Sequence, residues 1–249
     1  MDSYGVFADF YDELTQNVDY KSRAEYFLEI LRRHNHSPGL TLDLACGTGN
    51  LTIILKQLGV DVYGVDASGE MLSVAREKSA EKGLDILFIC QLMQELDLYG
   101  SIDTCVCTLD SINHITDIED VQKAFDRVAL FTNPDGVFLF DVNTVYKHRN
   151  ILADNTFVYD TDDVYCVWQN SLKENNTVNI DLTFFYPDGD VYRREDESFC
   201  ERAYTDEELR SMLSHSGFSV EAVYGDMSFD PVSKETQRAI YVARKVNYG

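Results

Sequence analysis

Between Thr41 and Asn50 the chain reads T-L-D-L-A-C-G-T-G-N: a short apolar run containing Asp43, a turn carrying Gly47 and Gly49, then the start of a helical pattern. Glycine at such a turn lets the backbone approach a ligand closely, because no Cβ intervenes. Seventeen residues after Gly49 a second apolar run, Val62-Tyr63-Gly64-Val65, ends in Asp66, whose carboxylate can accept both hydroxyls of a ribose. Together they describe a nucleoside site at the carboxyl edge of a parallel sheet. A nicotinamide dinucleotide is one ligand of that kind. Its fingerprint, however, needs a third glycine where Thr52 stands, so that helix and pyrophosphate can approach. Phosphate binding, and with it an oxidoreductase reading, is therefore disfavoured.

The pattern instead resembles the class I S-adenosylmethionine-dependent methyltransferases of small-molecule type. The resemblance runs through D-L-A-C-G-T-G, V-Y-G-V-D-A-S-G-E-M-L, T-L-D-S-I-N-H and N-P-D-G-V-F-L-F-D-V-N-T to Y-T-D-E-E-L before Gly217-Phe218. It implies S-adenosylmethionine as cofactor and methyl transfer as activity. Carried across by position, Asp43 would lie near the methionine amino group, and Ala45, Cys46, Gly47 and Gly49 would line the amino-acid moiety. Asp66 would hold the ribose, with Ala67 and Met71 flanking the adenine. Leu109, Asp110 and Ser111 would complete the methionine pocket, the Leu109 carbonyl being its expected polar contact. Many relatives carry an acid where Leu92 stands, to accept from the adenine amino group. Recognition among Gln91, Leu92 and Met93 is then expected from backbone groups, Gln91 or apolar packing. Ala45 likewise replaces the first glycine of the family loop.

The aromatic N-terminus, with Tyr4, Phe7, Phe10 and Tyr11, looks like a lid, Tyr11 being nearest the cofactor, and Arg23 is expected to pair with the methionine carboxylate. Methyl transfer needs an acceptor lone pair in line with the methyl group and a dry site. A base is required only where the acceptor carries a proton, and Tyr11, Asp110, His114 and Asp141 are the candidates. Tyr4, Phe7, His114, Trp168, Tyr186 and Arg193 are candidates for the acceptor pocket. A non-catalytic S-adenosylmethionine-binding protein is the alternative, motivated by Leu92 and by the lack of a compelling base.

These residues need a scaffold. Alternating strand and helix patterns from Thr41 to Val142 predict an α/β, doubly wound, Rossmann-like sheet of seven mostly parallel strands, with one strand of the last hairpin antiparallel. Residues 5–34 read as helical with Asp19 as an N-cap, and Ser68 reads as the N-cap of a later helix. From about residue 155 the period changes to two, with Val178, Ile180, Leu182 and Phe184 on one face, which predicts an antiparallel β meander. Residues 1–144 and 205–249 then form the cofactor domain, and 145–204 an insertion over the acceptor pocket. Thr205 and Glu208 spell a capping box.

Composition narrows the partners. Of 249 residues, 21 are Lys or Arg and 43 Asp or Glu, a net charge of −22 that repels nucleic acid and anionic lipid. The basic pairs Arg32-Arg33 and Arg193-Arg194 sit among acids and read as solvated faces. A small neutral or cationic acceptor is expected; its identity and the oligomeric state stay open. Six cysteines without a C-x-x-C pair read as small buried hydrophobes, and no metal site is expected. No apolar run nears a membrane span and no secretory pattern opens the sequence, so a cytoplasmic location is expected.

Overall fold

Five runs pair in parallel: Leu40–Leu44 (β1), Asp61–Asp66 (β2), Phe88–Cys90 (β3), Ile102–Cys107 (β4) and Thr132–Asn143 (β5). In the computed structural model, which describes residues 5–246 and side chains from residue 10 onward, four further strands follow as a separate sheet: Thr156–Asp160 (β6), Tyr165–Leu172 (β7), Thr177–Asp188 (β8) and Val191–Arg202 (β9). Phe218–Gly225 (β10) and Arg238–Lys245 (β11) complete the first sheet, in the order β10-β11-β5-β4-β1-β2-β3. Only β11 runs antiparallel to its neighbours there, as expected for a final hairpin.

Period-two alternation makes the sheet two-faced. Val137 and Leu139 of β5 pack with helices Tyr20–Arg33 (α2) and Asn50–Gln57 (α3), following the N-terminal helix Gly5–Leu14 (α1). The intervening Phe138 and Phe140 pack with Ile118–Phe131 (α5) on the opposite face, which α7 (Asp206–His215) also covers. Phe125 of α5 lies 5.6 Å from Phe138 and 5.4 Å from Phe140, ring to ring. Each such ring, fully buried, contributes about 1.5–3 kcal/mol relative to exposure. Gly69–Glu81 (α4) closes the edge by packing Leu72 and Ala75 on Phe88, with the Ser68 hydroxyl accepting the Met71 N–H.

The helical stretch over 5–34 is broken. Asp19 accepts from the Ser22 N–H at 3.0 Å and the Ser22 hydroxyl at 2.6 Å, starting a new helix rather than continuing the old one. The second sheet is the expected antiparallel meander, in the order β6-β7-β8-β9, with Val178, Ile180, Leu182 and Phe184 buried. Asn175 and Asn176 (φ +55° and +58°) make one of its turns. Phe10 and Leu14 of α1 pack on its apolar face. A short helix, Val145–Lys147 (α6), and a π-helical turn, His148–Leu152, lead into it, and neither has a periodic signal.

Among the described residues no strand pairing joins the sheets. A buried amide links them instead: Asn113 Nδ2 donates to the carbonyls of Asn143 at 3.1 Å and Arg202 at 2.9 Å, and its Oδ1 accepts the Asn143 N–H. Arg32 and Arg33 both pair with Glu29, as their acidic surroundings suggested. Two cysteines depart from expectation: Cys90 ends the sheet's edge strand and Cys200 lies on the outer face of β9, and both are exposed. Among the described residues no helix is long and apolar enough to cross a membrane.

Candidate active site

The turn after β1 takes three left-handed residues, Ala45 (φ +58°), Gly47 (+54°) and Gly49 (+75°). Alanine in that region costs roughly 1–2 kcal/mol, which is why glycine suits the position that Ala45 occupies. A Cβ on Gly49 would sit 2.9 Å from the Ala75 Cβ, whereas one on Gly47 would meet nothing within 4 Å and point into open space. Asp66, at the end of β2, pins this turn. Its Oδ2 accepts the Gly47 N–H at 2.7 Å and its Oδ1 the Ser68 N–H at 2.8 Å. Burial raises the Asp66 pKa, opposed by these backbone bonds.

Gly47, Asp66, Ala67 and Met71 line a cavity of about 440 Å³. Gln91, Leu92, Met93, Leu109, Ser111 and His114 line it as well. The Gln91 amide is already engaged, donating to the Asp97 carbonyl and accepting the Asp97 N–H, both at 3.0 Å. That leaves Leu92, Met93, Gln94 and main-chain groups to meet a ligand beside it. Gln94, Thr116 and Asp117 also line the cavity, and no sequence pattern singled them out.

A narrow pocket of about 30 Å³ continues from this cavity between the glycine turn and α1, lined by Tyr11, Tyr20, Asp43, Ala45, Cys46 and Ser111 among others. Asp43 is buried, accepts the Thr52 hydroxyl at 2.6 Å, and has its pKa pushed up to about 7 by desolvation. Thr52, which stands where a dinucleotide fold would place glycine, thus serves Asp43. Burial, with Tyr20 beside it, pushes the Tyr11 hydroxyl well above the ordinary tyrosine value. Helix α1 is latched to the turn through Asp12, which accepts from the Thr48 hydroxyl (2.6 Å), Asn50 Nδ2 (2.8 Å) and Lys78 Nζ (2.6 Å). None of that latch was legible in the sequence.

Several expected site residues sit elsewhere. Leu109 and Asp110 are consecutive left-handed residues, both at φ +55°, and the two Asp141 oxygens accept their N–H groups at 2.9 and 2.8 Å. Asp141 is fully buried and also takes Arg238 Nη1 at 2.5 Å. Asp110 accepts Arg238 Nη2 at 2.7 Å and Asn143 Nδ2 at 2.6 Å. Burial alone would raise its pKa, but Arg238, Lys147 and His114 outweigh this and hold it below the usual carboxylate range. Asp110 and Asp141 therefore build the loop and line neither cavity. Arg23 is turned from the cavities too, with Nη1 3.1 Å from Asp226 and 3.6 Å from Asp141.

Gly49 shapes the turn without lining either pocket. Trp168 packs in the meander core with Nε1 bonded to Asn170 Oδ1. Tyr186 donates to Glu195 and Arg193 pairs with Asp188 at 2.5 Å. These three also line neither cavity, because the turns of the meander fold them onto their own neighbours. Tyr4 lies outside the described residues, as does the Phe7 side chain. His114, in contrast, lines the large cavity and is backed by two groups that the sequence did not signal: Glu201 Oε1 stands 3.6 Å from its Nε2, and the Phe199 ring stacks at 5.3 Å.

The arrangement fits S-adenosylmethionine. The cavity has the size of a small-molecule site, the Asp66 carboxylate lines it as an acceptor for ligand hydroxyls, and Ala67, Met71, Leu92 and Met93 supply apolar lining for a base. A methyltransferase-domain family profile matches residues 41–136. A putative methyltransferase of Bacillus subtilis, YqeM, is 34% identical over 244 residues, covering 97% of each chain. A crystal structure of an S-adenosylmethionine-dependent methyltransferase from Clostridium acetobutylicum is 36% identical, covers 98% of this chain and 99% of its own, and superposes with a TM-score of 0.89. A dTDP-3-amino-3,6-dideoxy-alpha-D-glucopyranose N,N-dimethyltransferase of Streptomyces fradiae is 29% identical over 143 residues, 56% of this chain and 54% of that one. With cavity, glycine turn and full-length relatives in agreement, the chain belongs to the S-adenosylmethionine-dependent methyltransferases.

Proposed function

We propose that the protein methylates the amine nitrogen of a small molecule, with the acceptor entering at the His114 end of the large cavity. The observation that carries this reading is the continuity of that cavity. Asp66, Leu92, Ser111 and His114 all line it, and it shares Tyr11, Ala45, Gly47, Leu109 and Ser111 with the narrow pocket at Asp43. In this reading Asp66 binds the ribose hydroxyls, Ala67, Met71, Leu92 and Met93 sandwich the adenine, and Asp43, Ala45 and the Leu109 carbonyl face the methionine moiety. The cofactor, when bound, supplies an electrophilic methyl group on a sulfonium.

What the chain contributes is alignment, exclusion of water and one proton acceptor. Holding both reactants in line supplies roughly 7–11 kcal/mol of such a barrier. An amine is protonated near neutral pH and must lose a proton before its lone pair can attack. His114 is the cavity-lining group suited to remove it, because burial has made Tyr11 a poor base, Asp117 caps α5, Asp120 pairs with Lys123, and Asp110 and Asp141 are spent on Arg238. The dimethyltransferase relative, by its name, acts on an amino sugar, which supports an amine acceptor, and the charge of −22 favours a cation. No observation favours a non-catalytic role.

Titration calorimetry with S-adenosylhomocysteine, followed by a methyl-release screen over small amines, tests the reading. Binding of the homocysteine product and turnover on an amine that is lost in His114→Asn would support it. Turnover only on oxygen or sulfur acceptors would overturn the amine assignment.

A further inference from the structure

The inserted sheet brings a buried carboxylate between two histidines. Glu201 of β9 is 3% exposed; its Oε1 lies 3.6 Å from His114 Nε2 and its Oε2 lies 3.8 Å from His148 Nε2. His148 is itself fully buried, and its Nδ1 faces the Asn176 carbonyl at 2.9 Å. A carbonyl only accepts, so Nδ1 carries the hydrogen and Nε2 turns a lone pair toward Glu201. That Nε2 makes no hydrogen bond. On the other side Phe199, also from β9, stacks on His114 and sets its ring plane.

We propose that Glu201 is the positioning residue for His114, holding the ring as its Nε2–H tautomer so that Nδ1 keeps the lone pair that takes the acceptor's proton. The inference rests on the amine-methylation reading above and deepens it. In the reaction the acceptor ammonium gives a proton to Nδ1. The freed nitrogen lone pair forms the bond to the methyl carbon as the carbon–sulfur bond breaks. The imidazolium so formed faces the Glu201 carboxyl through Nε2–H, and His148 Nε2 can accept a proton held on Oε2. The proton is then returned to solvent when product leaves.

The surroundings leave Glu201 available for this work. Asp110 and Asp141 are paired with Arg238, Arg23 bridges Asp141 and the partly exposed Asp226, and among the described residues the ion-pair contacts of Glu201 are the two histidines. Desolvation pushes its pKa up to about 7, with His114, Lys147 and Arg238 lowering it and Asp110 raising it. Desolvation also pushes His148 down to about 4, so that ring is neutral near pH 7 and able to accept.

The test is nitrogen NMR of protein labelled at its histidines, without ligand and saturated with S-adenosylhomocysteine, with His114→Gln to assign the signal. The neutral His114 ring of the parent is expected as Nε2–H. Glu201→Gln keeps a carbonyl oxygen that can accept from Nε2–H and an amide N–H for His148, so the tautomer is retained. Glu201→Leu has neither, and the ring divides between tautomers. A parent ring protonated at Nδ1, or an unchanged Nε2–H ring in Glu201→Leu, overturns the proposal; the parent measurement decides alone if the leucine variant does not fold. Loss of S-adenosylhomocysteine binding in the parent would instead overturn the cofactor pocket, and the ligand-free tautomer would still be read independently.

Discussion

The Asp12 latch makes a prediction whose size follows from the structure. Asp12→Ala removes a carboxylate that takes three donors, Thr48, Asn50 and Lys78, and so frees α1 from both the glycine turn and α4. Burial by itself would raise the Asp12 pKa, yet Lys78, Thr48 and Asn50 together lower it, so the group is ionised near neutral pH. Bonds to a charged group are worth about 1.5–3 kcal/mol when buried, and exposed ion pairs about 0.2–1 kcal/mol. The Asp12 side chain is 41% exposed and that of Lys78 21%, which places the latch nearer the lower range. About 1–2 kcal/mol for the three together is a fair expectation. Because Tyr11 on the same helix lines both pockets, the loss should pass to the cofactor site. S-adenosylhomocysteine affinity is then expected to fall roughly five- to thirtyfold by calorimetry. Hydrogen exchange across residues 10–14 should accelerate alongside. Faster exchange with unchanged affinity would refute the coupling of α1 to the pocket, and no change in either would show that the latch carries no energy.

Asp66→Ala should weaken S-adenosylhomocysteine binding by about 1.5–3 kcal/mol, tenfold to more than a hundredfold, with thermal unfolding little altered; full affinity in a folded variant would remove the ribose role. Leu92→Asp should tighten binding of ligands that carry the adenine amino group but not of an analogue lacking it, and equal changes for both would move the adenine edge away from Leu92. Asp43 has a folded pKa raised to about 7, so its share of stability is full below the ordinary carboxylate value and is lost as pH rises through about 7. Asp43→Asn should flatten that part of the stability–pH curve in denaturant titrations. Glu201, raised in the same sense, preserves some slope, and a parent curve that climbs with pH over this window would contradict the assignment.

Local spacing made the nucleoside edge readable. Asp43, Gly47, Gly49 and Asp66 fall within 24 residues, and their backbone demands are written in residue type. The meander was readable because one face repeats Val178, Ile180, Leu182 and Phe184 without interruption. Long-range partners were not. Arg23 meets Asp226 across 203 residues and Asp110 meets Arg238 across 128, so an arginine suited to a ligand carboxylate and an acid suited to catalysis are both engaged by distant partners and line neither pocket. Trp168, Tyr186 and Arg193, considered for their place in the insertion, line neither pocket, since residue type says nothing about which neighbour a strand supplies. Glu201 carries no motif, and it gains significance only because β9 lies against the turn that ends in His114.

The amide of Asn113 has a consequence for how such an enzyme changes over generations. With no shared ladder among the described residues, substitutions in the meander need not propagate into the register of the seven-stranded sheet, and the Asn113 side chain is one point at which the two sheets are tied. Variation among residues 156–202 can therefore reshape the surface around Phe199 and Glu201 while the turn at Gly47 and Asp66 keeps its geometry. Change on the meander side and constancy on the cofactor side thus become separable, provided that a small amide persists at 113 to hold Asn143 and Arg202 at their spacing.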